Sequence, residues 1–297
     1  MYFEHRDELC AQYIEARNHF LNSPDQLIML EKFITDTVNN TICEHYAEIE
    51  RDYNEASYMH PFWSKYPPDN RGRAPVGDQI PWIEVGEHAV GHKLSRLISC
   101  EYHIQEIGLP SGADNRFVLI SPEISDITDG LTDRAFVFLD IKSVGPRDNF
   151  DHTVISPYQV SGDGIWDDPV QDMINSPMIA TGKHVSHTFY PAISPIYALT
   201  GGFVAPTVHV FFIKPVYSML SLSSNGERSG QPLESIKSIC VPNGLLLTKE
   251  PNYLRQYPGL FFPGKDDKTK DPRKIRVRVS FEILRAIDAW RVTEYEE

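Results

Sequence analysis

The sequence predicts an α/β fold in one domain, and three observations carry that prediction. The first 60 residues keep helical spacing of apolar side chains, whereas from about residue 104 the pattern changes to short runs of high β-propensity. Two of those runs, 134–142 and 206–215, are almost continuously apolar, as expected of central strands covered on both faces. No internal repeat or low-complexity linker interrupts the 297 residues, so a single domain over 1–297 with a helical N-terminal part (about 1–60) is expected.

Taken in order, Tyr13, Ile14, Phe20 and Leu21, then Leu27, Leu30, Phe33, Ile34 and Val38, mark two helices. They are separated at Ser23-Pro24-Asp25, where proline suits a first helical turn. A third helix is expected over about 41–55. Residues 61–79, with Pro67-Pro68-Asp69-Asn70-Arg71-Gly72, read as a loop. A helix should follow over about 80–98, with Pro81 in its first turn. Trp82, Val85, Ala89, Val90, Leu94, Leu97 and Ile98 form its apolar face, and Glu84, Glu87 and Gly91 share another side.

Strands are expected at 116–120 and 134–142. Residues 150–195, rich in Gly, Pro, Ser and Asp, read as long excursions or short helices. After the strand at 206–215 come strand-like pieces at 217–222, 236–241 and 245–248. Residues 274–279 alternate basic and apolar, the pattern of a strand with one face in the core and the other carrying cations. Residues 281–291 read as a closing helix.

Composition narrows the function classes. With 28 Lys and Arg against 41 Asp and Glu, the formal net charge is -13. The charge is uneven: residues 1–60 carry four basic and twelve acidic side chains, whereas residues 265–278 carry seven basic and three acidic. A polyanion-binding protein needs positive charge only where it faces its ligand, although a solvated basic loop has the same composition. No apolar run reaches membrane-spanning length, and the first residues lack an apolar core of the secretory type. Cys10, Cys43, Cys100 and Cys240 are scattered with no CxxC, so free thiols in a reducing cytoplasm are expected rather than disulfides or zinc. No GxGxxG, P-loop or GxSxG occurs, so neither a nucleotide cofactor nor a serine triad is expected.

One constellation points to metal-dependent hydrolysis. On a strand, Asp140 and Lys142 project to the same face, where a carboxylate can hold a divalent cation beside a water held by the lysine. Asp114 lies 26 residues upstream, at the turn into the neighbouring strand, and could converge on the same ion. Of two (Asp/Glu)-x-Lys matches, Asp140/Lys142 ends an apolar strand and Asp266/Lys268 sits in a polar loop. His184 and His187 form an HxxH without an obvious third ligand. His209, in mid-strand, reads as a satisfied core or edge histidine. Arg276 and Arg278 alternate onto one strand face.

Several longer segments carry a resemblance. They are Tyr53-Asn54-Glu55-Ala56, His60-Pro61-Phe62-Trp63, the run from Gly77 to Glu87, Glu106-Ile107-Gly108-Leu109-Pro110, the run from Asp140 to Asp148, Val241-Pro242-Asn243-Gly244 and Pro263-Gly264-Lys265-Asp266-Asp267. Together they resemble the BglI family of type II restriction endonucleases, within the PD-(D/E)xK superfamily, from near the N-terminus to about Val279. The resemblance implies a central mixed β-sheet flanked by helices, with the site at one sheet edge. It implies Mg²⁺ held by Asp114, Asp140 and the backbone carbonyl of Ile141, with Lys142 as catalytic lysine. Glu87 matches an additional carboxylate, with Glu84, one turn away, as its rival. Ala113 stands where the motif's name has proline, a position that shapes a turn and supplies no ligand.

By similarity, Asp148, Lys265, Asp267, Arg276 and Arg278 would read G·C pairs of double-stranded DNA in an interrupted palindrome such as GCCNNNNNGGC. A palindrome implies a homodimer, one subunit per half-site. Lys268, Lys270, Arg273 and Lys274 are expected on phosphates. Two rival classes stay open: a metal nuclease that reads shape, and a DNA-binding module with a vestigial metal site.

Overall fold

The computed structural model describes residues 5–57, 85–108, 111–144, 150–167, 172–199, 206–218, 232–264 and 271–296. Its centre is a six-stranded mixed sheet in the order β1-β2-β3-β9-β10-β13. These are β1 (His103–Glu106), β2 (Asn115–Ile120), β3 (Arg134–Ile141), β9 (Thr207–Tyr217), β10 (Leu233–Val241) and β13 (Val292–Glu296). The β3/β9 pair is parallel and the other pairs are antiparallel. Every residue of β9 and all but the first of β3 is buried, which accounts for their unbroken apolar runs.

Side chains alternate between two cores across this sheet. Val137, Leu139 and Ile141 of β3 face α2 (Pro24–Glu44), α3 (Tyr46–Ser57) and α4 (Lys93–Glu101). Phe136 and Phe138 face the opposite core, which takes in Tyr13, Ala16 and Phe20 of α1 (Arg6–Asn22). Beyond that core lies a three-stranded sheet in the order β11-β12-β4, built of β4 (His152–Ile155), β11 (Phe261–Pro263) and β12 (Val277–Ser280).

Several sequence expectations are corrected. The third helix starts at Tyr46, because Thr41 and Ile42 continue the buried stripe of α2 (Leu30, Ile34, Val38) at steps of three and four. Residues 150–195 hold one short helical turn, the 3₁₀ turn Pro157–Gln159, but otherwise form β4 and two hairpins, β5 (Gly164–Asp167) with β6 (Asp172–Asn175) and β7 (Met178–Thr181) with β8 (Ser186–Phe189). The elements that escaped the periodicity include β1 and the short helix α5 (Pro122–Ile127).

Residues 245–248 lie in a helix, α6 (Gly244–Thr248), and not a strand. Asn243 caps it by accepting the Leu245 N–H at 3.0 Å, and a short apolar run does not distinguish a buried helix from a buried strand. A four-residue helix follows, α7 (Tyr253–Gln256). The basic strand is shorter than expected, because Lys274 sits in a turn in which its N–H donates to Asp271 O at 2.9 Å. The closing helix ends early, as α8 (Phe281–Ile287). The chain then passes through a 3₁₀ turn into the edge strand β13. The loop at 61–79, the helix start at 80–84 and the segment 219–222 lie outside the described residues. No helix among the described residues is long and apolar enough to cross a membrane.

Candidate active site

β3 delivers Asp140 to its C-terminal end. Phe136 and Phe138 pack into one core, and Asp140 is the next side chain on that face. Lys142 follows two residues on, where its N–H donates to Ile213 O at 2.8 Å and keeps the chain beside β9. The antiparallel register pairs Asn115 of β2 with Leu139, so the residue entering β2 arrives beside the end of β3. That residue is Asp114, and its Oδ2 accepts the Ile141 N–H at 2.6 Å.

Asp140 is 1% exposed. Its Oδ1 accepts Gln159 Nε2 at 2.5 Å, and the same amide donates to Gly112 O at 3.1 Å. Gln159 is itself held, since its Oε1 accepts the Ser156 N–H at 2.9 Å. Asp140 Oδ2 forms an ion pair with Lys142 Nζ but accepts no hydrogen bond of ordinary geometry. Lys142 Nζ also lies 6.0 Å from the centre of the Phe212 ring. Burial pushes the Asp140 carboxyl up to about 6. The Lys142 cation opposes the rise, the Asp114 charge adds to it, and the Gln159 hydrogen bond opposes it.

This donor set fits a hard divalent cation. Asp140 Oδ2 is a buried carboxylate oxygen that faces the Lys142 ammonium, and a second carboxylate, Asp114, is exposed beside it. Oxygen donors of this kind suit Mg²⁺ or Ca²⁺. The three carboxylates of the expected set do not close into one cluster. Among the described residues, the His/Cys/Asp/Glu group whose ligand atoms lie within 4.8 Å of one another is Glu44, His45 and Glu101, on another part of the molecule.

Glu87 reaches this region on a helix with unusual spacing. Residues 85–101 are continuously helical, but Glu87–His92 is a π-helical turn. The wider turn lets residues five apart face the same way, so Val85 and Val90 are both buried, as are Gly86 and Gly91. Both glycines touch the end of β3. A Cβ on Gly86 would stand 1.9 Å from Ser143 Oγ, and one on Gly91 would stand 2.8 Å from Ile141 Cγ1. At Gly91 a side chain would press on the branched Ile141, so glycine there lets the helix come close. Glu87, half-buried, is therefore carried next to the 141–143 segment.

Of the expected DNA-reading residues, Arg276 is exposed just before β12, and Arg278 is half-buried within it. The alternating burial of Ile275, Val277 and Val279 follows the pattern expected from sequence. Glu84, Asp148, Lys265 and Asp267 lie outside the described residues, as do Lys268 and Lys270. His184 and His187 lie at the β7/β8 hairpin. His209 is a core histidine, its Nε2 2.7 Å from Thr207 Oγ1, and burial lowers its pKa to about 3.

Two residues that bear on the site were missed from sequence. Gln159 had one signal, the Ser156-Pro157-Tyr158-Gln159 pattern of a capping box, and that box is present. His152, which contacts Arg278, had none.

The family model described as "Restriction endonuclease BglI" matches residues 8–295. The type II restriction enzyme BglI of Bacillus subtilis is 45% identical over 288 residues, 96% of this chain and 95% of that protein. The crystal structure of restriction endonuclease BglI bound to its DNA recognition sequence superposes with a TM-score of 0.90 at 43% identity, covering 100% of this chain and 99% of that one. The tetrameric restriction endonuclease SfiI bound to cognate DNA gives a TM-score of 0.59 at 15% identity, covering 92% and 85%, a likeness of fold.

Proposed function

The chain belongs to the BglI family of restriction endonucleases, which are type II site-specific deoxyribonucleases, and from that premise we propose that it cuts double-stranded DNA at an interrupted G/C-rich palindrome, GCCNNNNNGGC. It does so as a Mg²⁺-dependent homodimer, one subunit per half-site. The observation that carries the reading is the convergence of Asp114 and the Asp140/Lys142 pair at the end of β3.

Asp114, Asp140 and the Ile141 carbonyl would hold Mg²⁺. Bound there, the ion would neutralise charge on the scissile phosphate and make the attacking water more acidic. Lys142 holds the attacking water, and its cation stabilises the charge that builds on the pentacovalent phosphate. Gln159 keeps the Asp140 carboxylate aimed into the site. Glu87 orients a water or a second ion from the helix side. Asp148, Lys265, Asp267, Arg276 and Arg278 read bases, while Arg273 and Lys274 contact phosphates. The setting we infer is a bacterial cytoplasm, within a restriction–modification system, where the four free thiols would stay reduced.

The test is digestion of a sequenced plasmid with Mg²⁺ and mapping of the ends. Ends within GCCNNNNNGGC are expected. Discrete ends at another sequence would retire the base-reading assignments and keep the catalytic ones. A smear would favour a shape-reading nuclease, and no cleavage with Mg²⁺ or Mn²⁺ would leave a DNA-binding module.

A further inference from the structure

Arg278 does not stand by itself on the cationic face of β12. Its Nε donates to His152 Nε2 at 3.1 Å. The register explains the contact: Ser280 pairs with His152 and Arg278 with Val154, so Arg278 and His152 are diagonal neighbours on one face. The other face of these strands, with Val277, Val279 and Ile155, is buried core.

His152 is held from three sides. It is fixed in the ladder with β12, and its ring meets the Phe262 ring edge-on, with centres 5.4 Å apart. Its backbone carbonyl accepts Lys214 Nζ at 2.7 Å. Lys214 is 1% exposed and follows Ile213, the residue paired with Ile141 at the end of the catalytic strand. A line of contacts therefore runs from the end of β3 through Lys214 and His152 to Arg278.

Gly264 completes the arrangement. A Cβ there would stand 1.9 Å from Arg278 Nη1 and 3.0 Å from Cζ, so the guanidinium lies across a position where a side chain would displace it.

We propose that His152, with Gly264 making room, is a positioning residue for base recognition: it fixes the plane in which the terminal nitrogens of Arg278 meet a guanine edge. The proposal rests on the base-reading role given to Arg278 above. A guanidinium whose Nε is engaged presents its two terminal nitrogens as a pair, the geometry that matches guanine O6 and N7. A neutral imidazole with an unprotonated Nε2 is an acceptor that leaves the arginine's charge intact.

The test compares wild type, Arg278→Ala, His152→Ala, His152→Gln and Gly264→Ala. The probes are duplexes in which each G·C pair of the GCCNNNNNGGC half-site is replaced in turn. Binding is measured with Ca²⁺ and cleavage with Mg²⁺, after thermal unfolding shows each variant folded. Arg278→Ala should lose discrimination at one base pair. His152→Ala and Gly264→Ala should lose about tenfold at that same pair and leave the others unchanged. His152→Gln, whose amide oxygen can accept the Nε–H, should recover part of the loss.

The proposal fails if folded His152→Ala and Gly264→Ala discriminate as wild type does. It fails equally if they weaken binding uniformly at every pair, as a merely structural role would. If Arg278→Ala itself matches wild type at every pair, the base-reading assignment is the part that fell, and the positioning role falls with it.

Discussion

Gln159 Nε2 donates to Asp140 Oδ1 at 2.5 Å and to the Gly112 carbonyl at 3.1 Å, so a single amide ties the end of β3 to the turn that carries Asp114. The Asp114 carboxylate is tied to the end of β3 separately, through the Ile141 N–H.

Replacing Gln159 with Leu keeps the approximate shape and removes that donor. Asp140 would then keep its burial with one stabilising contact fewer, so its carboxyl would hold its proton more tightly. An unmade hydrogen bond to a buried group costs about 1–3 kcal/mol. The Mg²⁺ concentration for half-maximal single-turnover cleavage should rise by roughly 5- to 150-fold. An unchanged Mg²⁺ titration would remove Gln159 from the site.

Lys142→Ala should lower cleavage by at least about 10²-fold while leaving sequence-specific binding intact. The Asp140 carboxyl should rise further, because its ion-pair partner is gone. Gel-shift and cleavage assays on the same preparation separate the two effects. Lost binding by a folded variant would contradict the assignment.

Without metal, burial holds the Asp140 carboxyl at about 6, above its ordinary value of 3.8. Below that pH the carboxyl keeps its proton and is lost as a metal ligand. At low fixed Mg²⁺, cleavage should therefore fall about tenfold per pH unit below the limb. Metal and proton compete for the same oxygen, so more Mg²⁺ should move the limb to lower pH. For the metal-free protein the sign is fixed by linkage: the folded state binds this proton more tightly than the unfolded one. The stabilisation is complete below pH about 3.8 and is lost as pH rises through about 6. An acid limb insensitive to Mg²⁺ would assign it to another group.

Arg291 and Glu31, both fully buried, pair at 2.7 Å between Nη2 and Oε2, joining the 3₁₀ turn before β13 to α2. Glu31 Oε1 also accepts the Asn243 N–H at 2.6 Å. Arg291→Met would strand a buried carboxylate and should cost about 3–5 kcal/mol in urea unfolding. Adding Glu31→Met should recover much of that loss, since no charge then lies buried and unmatched. A loss below about 1 kcal/mol for the single variant would show that Glu31 is easily rehydrated.

The residues differ in how far sequence could reach them. Asp140 and Lys142 were legible because a strand repeats every two residues, which puts both on one face wherever the strand is set. Asp114 was legible as a spacing, since one strand and a return bring 26 residues back to the start. Leu245 to Thr248 misled because three consecutive leucines carry no period. The π-helical turn at Glu87–His92 and the edge strand β13 left no local trace, because each is stabilised by what it packs against.

By itself the sequence determined the helix faces, the two central strands, the (Asp/Glu)-x-Lys pair and the alternation that buries Ile275, Val277 and Val279, all properties of local period and composition. Tertiary structure decided the rest. It set the meeting of Asp114 with Ile141, the grip of Gln159 on Asp140, the raised carboxyl of Asp140, the close approach of Gly86 to Ser143 and the contact of His152 with Arg278. Each of these depends on distance and burial between segments far apart in the chain, and such quantities come into being only when the sheet register is fixed.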